Sequence, residues 1–299
     1  TMSKASNSRK TQHVELALRP DSQMATPLHR GFDAWQFEPI ALPEADLDTL
    51  DCSAEFMGKT LRWPFMISSM TGGGQYGAQV NANLAQACEA QQVALAVGSQ
   101  RIGLDDPEAK TQFDLRRLMP KGCLLGNLGA TQLLEPDAID RVKRAIDMLE
   151  ADAFYIHLNP LQECAQPGGD RDWNGVAGQI EAVCKDSPVP IIAKEVGHGI
   201  GPTTAGQLAD LGVSAIDLAG TGGTSWCQIE MSRNPDPVAQ QVLAPFASWG
   251  MSTAQALLAA RQALPAGYPL IASGGVRHGL DVAKAEALGA CLGAAARPF

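Results

Sequence analysis

Short apolar runs rich in β-branched or aromatic residues recur along the chain, separated by stretches whose apolar positions fall three and four apart. The runs Pro64–Ser69, Val93–Gly98, Cys123–Leu128, Ala153–Leu158, Pro190–Val196, Ser214–Leu218, Pro269–Ser273 and Ala290–Ala295 predict strands. Between them, Gly77–Gln91, Pro136–Leu149, Gly175–Val183, Thr203–Leu211, Thr253–Leu264 and Leu280–Leu288 predict helices with one buried face. A helix over Asp106–Leu118, with a weaker pattern, fills the gap between the second and third strands. Alternation of this kind argues for a parallel sheet wrapped by helices, and about eight repeats over roughly 250 residues is the size of a (β/α)8 TIM barrel. A doubly wound open sheet would place Gly-x-Gly-x-x-Gly after its first strand, and Met70-Thr71-Gly72-Gly73-Gly74 only approximates that.

Residues 1–60 stand outside the alternation as an N-terminal arm, carrying Arg9, Lys10 and His13, followed by a loop-rich stretch with Pro39 and Pro43. Residues 61–299 are expected to form a single barrel domain. Its eighth strand reaches Ala295 and the sequence stops at Phe299, so the last helix is expected to be missing.

Composition narrows the partners. Of the 299 residues, 45% are hydrophobic and 18% charged, an ordinary globular mix. A net charge of −9 argues against non-specific nucleic-acid binding, which needs a basic face. A small anion held by a few focused Arg and Lys residues remains compatible with it. The sequence has no apolar run of membrane-spanning length, and the polar Thr1–Gln12 does not read as a signal peptide. The seven cysteines are scattered without a Cys-x-x-Cys pair, which predicts reduced thiols in a cytoplasmic protein.

Polar and glycine residues gather just after the predicted strands: Ser69–Gly73, Gly98–Arg101, Gly126-Asn127, His157–Asn159 with Gln162-Glu163, Lys194-Glu195, Gly220–Thr224 and Ser273–Gly275. Such residues are ordinary turn chemistry in any one loop, but seven loops in agreement mark the C-terminal face of a barrel, where active sites form. Ser273-Gly274-Gly275 and Ala294-Ala295-Ala296 follow the last two strands and offer bare backbone N–H groups, as a phosphate site requires. Glu163 reads either as a solvated side chain or as the single carboxylate with which Mg²⁺ joins substrate phosphate oxygens. Lys194 ends an apolar strand, where an ammonium needs an anionic partner. Pairing with Glu195 is not expected, since adjacent strand residues point to opposite faces. His157 fits a satisfied core histidine or a general acid, and Cys227, with no evident base beside it, reads as structural.

Together these segments resemble the type 2, FMN-dependent isopentenyl diphosphate isomerases. The similarity runs from Arg9-Lys10 to the end and includes Met70–Gly73, Val97–Arg101, Asn127–Ala130, His157–Glu163, Gly169–Arg171, Lys194–Gly197, Gly222–Thr224 and Ser273–Arg277. It implies that Ser69, Met70, Thr71, Ser99, Asn127, Lys194 and Thr224 hold FMN, with Gly274, Gly275, Arg277, Ala295 and Ala296 toward its phosphate. It further implies Arg9, Lys10, Ser99, Gln100, Arg101 and Gln162 as substrate contacts and Glu163 as the Mg²⁺ ligand. His157, Gln162 and Lys194 would act in catalysis. The implied reaction is a redox-neutral proton shift between isopentenyl and dimethylallyl diphosphate on reduced FMN, in isoprenoid biosynthesis, with NADPH as reductant and a homo-oligomeric enzyme. The chain departs from the family at Thr11-Gln12 (usually an acidic pair), Gly168 (often glutamate) and Ala219, where a serine usually touches the cofactor. An FMN-dependent barrel oxidoreductase and a non-catalytic flavin or phosphate binder are the competing expectations.

Overall fold

The computed structural model describes residues 12–24, 31–69 and 75–299, with only the backbone for 75 and 76. Two strands, β1 (Ala54–Phe56) and β2 (Lys59–Leu61), form an antiparallel hairpin. Eight more follow: β3 (Phe65–Ile67), β4 (Ala94–Ala96), β5 (Leu124–Gly129), β6 (Ala153–Leu158), β7 (Ile191–Glu195), β8 (Ala215–Asp217), β9 (Leu270–Ser273) and β10 (Leu292–Ala295). They close into an all-parallel barrel in sequence order, with β10 pairing both β9 and β3. All eight expected strands are present, and closure is complete without a helix after β10 among the described residues. Several strands begin one residue late because a proline stands at the start. Pro64, Pro190 and Pro269 have no N–H to donate, but their carbonyls accept from Gly293, Phe154 and Ile216.

The hydrophobic core has two parts. One lies between the strands and the surrounding helices. The other fills the barrel with Met66, Leu125, Tyr155, Ile192, Ile271 and Leu292, and receives Phe56 and Leu61 from the hairpin at the lower, N-terminal end. Side chains alternate along each strand, so the residues two positions above this apolar layer also face inward. These are Asn127 above Leu125, His157 above Tyr155, Lys194 above Ile192, Asp217 above Ala215 and Ser273 above Ile271. The polar upper layer is thus a direct result of strand periodicity.

The expected helix over Asp106–Leu118 is not formed. A short helix at Arg101–Asp105, another at Pro107–Lys110 and a 3₁₀ turn at Thr111–Phe113 replace it. Pro107 sits in the first turn of the second piece, and Asp106 before it is extended (φ −132°, ψ 112°) and caps that piece through Glu108 N–H. The run stops at Asp114 (φ −76°, ψ 68°), short of Leu118. The long connection after β8 contains two helices that the pattern did not predict, Trp226–Arg233 and Pro237–Leu243, capped by Ser225 and Asp236. No helix among the described residues is long and apolar enough to cross a membrane.

Candidate active site at the barrel mouth

Three adjacent strands place Asn127, His157 and Lys194 side by side, since Gly129 pairs with His157 and His157 with Lys194. Asn127 Nδ2 donates to Ser69 Oγ at 3.0 Å, which turns its carbonyl toward His157 Nδ1 at 2.8 Å. His157 Nε2 is then the bare acceptor. Burial, with the Lys194 charge beside it, lowers His157 from 6.5 to about 4. The imidazole is therefore neutral at pH 7, which leaves no imidazolium to serve as a general acid there.

Lys194 is buried and donates to the Glu195 carbonyl (3.1 Å) and Ser273 Oγ (3.2 Å). Its anionic partner is Asp217 on β8, 3.4 Å from Nζ and completely buried. The Glu195 carboxylate points elsewhere and accepts from the N–H groups of Gly197, His198 and Gly199, which folds the loop after β7. The expectation of opposite faces holds, and the missing anion turns out to be one strand away.

Gln162 and Glu163 project from the short helix Pro160–Ala165. Glu163 is buried, with Oε1 accepting from Asn159 Nδ2 (2.9 Å) and Oε2 from Asp170 N (2.8 Å) and Gln166 Nε2 (3.3 Å). A carboxylate has about four acceptor sites, so one remains on Oε1. That suits a single ligand to a cation whose other ligands are phosphate oxygens and water. Among the described residues no group of three or more His, Cys, Asp or Glu side chains gathers into an all-protein metal cage. Arg101 reaches the same loop, with Nη1 3.7 Å from Asp170 Oδ2, and is half exposed toward the mouth. Asn159 Oδ1, buried beside Glu163, has no hydrogen-bond partner.

The glycine-rich turn expected to cradle a phosphate lies where β9 ends. Gly274 and Gly275 both adopt left-handed backbone (φ 93° and 77°), and a Cβ on Gly274 would sit 2.0 Å from the Gly220 carbonyl oxygen. Arg277 staples the neighbouring loops by donating to the Gly275 and Gly222 carbonyls, each at 2.9 Å. A cavity of about 340 Å³ opens here, bordered by Gly222, Gly274, Gly275 and Arg277 and, on its other side, by Asp33 and Asp281, the latter accepting from Arg277 N at 3.0 Å. Small residues and glycine backbone suit a phosphate group, and the donors and acceptors of Asn127, His157 and Lys194 suit the edge of a flavin ring. The residues present therefore fit FMN. Thr224 is stitched to the N-terminal segment: Gln23 Nε2 donates to its Oγ1 at 3.1 Å, and Met24 N to Gly223 O at 2.8 Å. Ala219, in the serine position, takes a left-handed conformation (φ 40°) and holds Gly199 N–H through its carbonyl.

Other expectations change. Gln100 is not turned to the mouth; it is fully buried, accepts from Asn127 N (3.0 Å) and donates to Ala145 O (2.8 Å). It fixes the strand that carries Asn127 and has no free end for substrate. Arg9, Lys10, Met70 and Thr71 lie outside the described residues. Cys227 is buried and its thiol is pushed up to about 11, in keeping with a structural role. Among the buried carboxylates that escaped the sequence reading are Asp217 and Glu230. The latter joins His13 Nε2 (2.7 Å), Arg233 and Gln162 Nε2 (3.5 Å). Burial opposes its charge, but His13 and Arg233 outweigh that and lower its pKa.

A family model described as FMN-dependent dehydrogenase matches residues 20–106 and 170–299. A protein of Stutzerimonas stutzeri named isopentenyl-diphosphate delta-isomerase is 49% identical over 286 residues, covering 95% of this chain and 82% of that protein. One of the same name from Xanthobacter autotrophicus is 48% identical, with the same shares covered. Another from a Synechococcus strain is 45% identical, covering 97% and 83%. Among solved structures, Pediococcus acidilactici lactate oxidase superposes with a TM-score of 0.59 at 16% identity, over 97% of this chain and 73% of that one. A mandelate oxidase gives 0.56 at 17% identity, over 96% and 77%. At such low identity these two share the barrel fold alone.

Proposed function

The chain belongs to the isopentenyl-diphosphate delta-isomerases, within the FMN-dependent dehydrogenase family of barrels, and is an enzyme of that activity; from this premise we propose how its own residues move the double bond between isopentenyl and dimethylallyl diphosphate. When bound and reduced, FMN supplies an electron-rich ring that can stabilise positive charge on a tertiary carbon and exchange protons with its neighbours. The chain supplies position, charge and dryness. Gly274, Gly275, Ala295 and Ala296 hold the cofactor phosphate through backbone N–H groups, with Arg277 fixing their loops. Ser69, Met70, Thr71, Ser99, Asn127 and Thr224 hold the remainder. The Lys194 ammonium would be among the groups that hold the ring, where a cation would favour its anionic reduced form.

At the substrate end, Arg9, Lys10 and Arg101 grip the diphosphate, which arginine can bind in fork fashion. Glu163 would hold Mg²⁺, which would neutralise charge on the diphosphate. Neutral His157 offers Nε2 as an acceptor, and Gln162, held by Glu230, orients the hydrocarbon end. NADPH serves as the reductant and is not consumed in each turnover. The seven unpaired cysteines support a reducing, cytoplasmic setting. The exposed Trp35, Phe37, Ile40, Leu42, Leu47 and Leu50 support a homo-oligomer.

The observation that carries this reading is the inward-facing row of Asn127, His157 and Lys194 beside the glycine cradle. A 2-hydroxy-acid oxidase needs a histidine at the mouth after β9. His278 is instead exposed at the rim and caps the helix Gly279–Ala287, accepting from Asp281 N at 3.3 Å. The test follows product and NADPH together, anaerobically, with Mg²⁺. Many turnovers for each NADPH are expected. Stoichiometric NADPH loss would return the oxidoreductase, and an absence of product with FMN bound would return the non-catalytic binder.

A further inference from the structure

Asp217 makes none of the contacts just assigned, yet it is completely buried inside the barrel. A carboxylate is costly there unless its charge is matched and its lone pairs are filled. Three strands meet that need. Tyr155 OH on β6 donates to Oδ2 at 2.9 Å, Ser273 Oγ on β9 donates to Oδ1, and Lys194 Nζ on β7 stands 3.4 Å from Oδ2. The register pairs Lys194 directly with Asp217. Ser273 also accepts from Lys194 at 3.2 Å, so it bridges ammonium and carboxylate. Tyr155 is itself held protonated, since burial and the neighbouring carboxylate raise its pKa well above the ordinary value. The lysine is therefore held within the barrel by a carboxylate and a hydroxyl that are themselves buried.

We propose that Asp217 is a positioning residue that sets, through Lys194, how much uncompensated positive charge the flavin ring meets. The proposal rests on the reading that Lys194 lies along the ring. With the carboxylate in place, ammonium and anion form a nearly neutral pair, and only the residual field of the nearer charge acts on the cofactor. Two electrons make the ring anionic, so its reduced form gains most from a bare cation. Asp217 thereby holds the reduced state back and keeps the lysine from swinging into the mouth.

The test is an anaerobic redox-dye titration of the FMN-loaded protein. Asp217→Asn keeps the shape and removes the charge. It should raise the reduced-to-oxidised ratio at a given potential about tenfold, a rise of about 30 mV for a two-electron couple. Lys194→Met should move the ratio the opposite way, and adding Asp217→Asn to it, which removes the stranded negative charge, should return part of that shift. Tyr155→Phe keeps the charge while removing one hydrogen bond, so it should lower thermal stability and leave the potential in place. If Lys194→Met does not move the potential, the assignment of the lysine to the ring falls. If it does and Asp217→Asn does not, or if Tyr155→Phe moves it as far as Asp217→Asn, the role given to Asp217 falls. Should Asp217→Asn not fold, the double replacement Asp217→Leu, Tyr155→Phe removes the charge together with its donor and carries the same expectation.

Discussion

The two ends of the barrel both contain buried or half-buried charge, but they use it differently. At the lower end Asp152 accepts from Arg116 (2.8 Å) and from Leu124 N (2.9 Å), with Lys59 of the hairpin 3.2 Å away. Arg116 also donates to the carbonyls of Met119, Gly122 and Glu150. These charges are joined to main chain, so their geometry is that of the fold itself. At the upper end Lys194, Asp217, His157 and Asn127 bond mainly to one another's side chains, and the loops above them are glycine-rich. Charge tied to backbone fixes a shape, whereas charge tied to side chains leaves donors and acceptors that a ligand can share. Function at one end and stability at the other should therefore separate under mutation.

The sharpest separation is expected in the cradle. Gly274→Ala would drive a Cβ into the Gly220 carbonyl, and the purified protein should be colourless, having lost FMN affinity by more than a hundredfold. Flavin absorbance after gel filtration measures this, and a yellow protein of normal affinity would remove the cradle from the cofactor site. Next, Lys194→Met should lower kcat by roughly 10²–10³, the usual effect of deleting an electrostatic donor. It also strands Asp217, so adding Asp217→Asn should recover the melting temperature without recovering turnover. Joint recovery would break the contrast drawn here. At the other end, Arg116→Ala should cost on the order of 3 kcal/mol in chemical denaturation while leaving kcat per folded molecule intact. A lowered kcat would show that the lower clamp reaches the mouth.

The smallest effect concerns pH. His157 titrates near 4 in the folded chain against 6.5 ordinarily, so between those values the unfolded chain binds the extra proton. Its contribution to stability is then fully present above about pH 6.5 and declines as pH falls toward 4, by about 2 kcal/mol between pH 6.5 and 5. Denaturant titrations across that range should show the slope, and His157→Gln should flatten it.

Strand periodicity made the barrel legible, because alternation and proline punctuation survive in any context. The helix expected over Asp106–Leu118 begins with Pro107 in its first turn, but it tightens to a 3₁₀ turn at Thr111 and stops at Asp114, whose ψ of 68° leaves the helical region. The site was legible where chemistry sits in loops after strands, as with Gln162, Glu163 and Gly274. It was not legible where polar residues hide inside apolar runs. Asp217 lies in Ala215-Ile216-Asp217-Leu218, and its inward register could have been read as the partner that Lys194 required. Gln100 misled for the opposite reason: it is polar and near the mouth in sequence, but the chain turns it into the core. Glu230 needed a helix that the long connection after β8 did not announce.

The hairpin that inserts Phe56 and Leu61 beneath the barrel stops its lower end with apolar side chains. With that end stopped, water and its isotopes are expected to exchange with the interior by way of the mouth or through global opening of the fold. In deuterium exchange, the central amides of β5 and β6 should therefore become labelled at the rate of whole-molecule unfolding. Deuterium taken up by product during turnover must likewise arrive from above, so the occupancy of the mouth, and not breathing of the floor, sets how quickly solvent label reaches the reacting carbon.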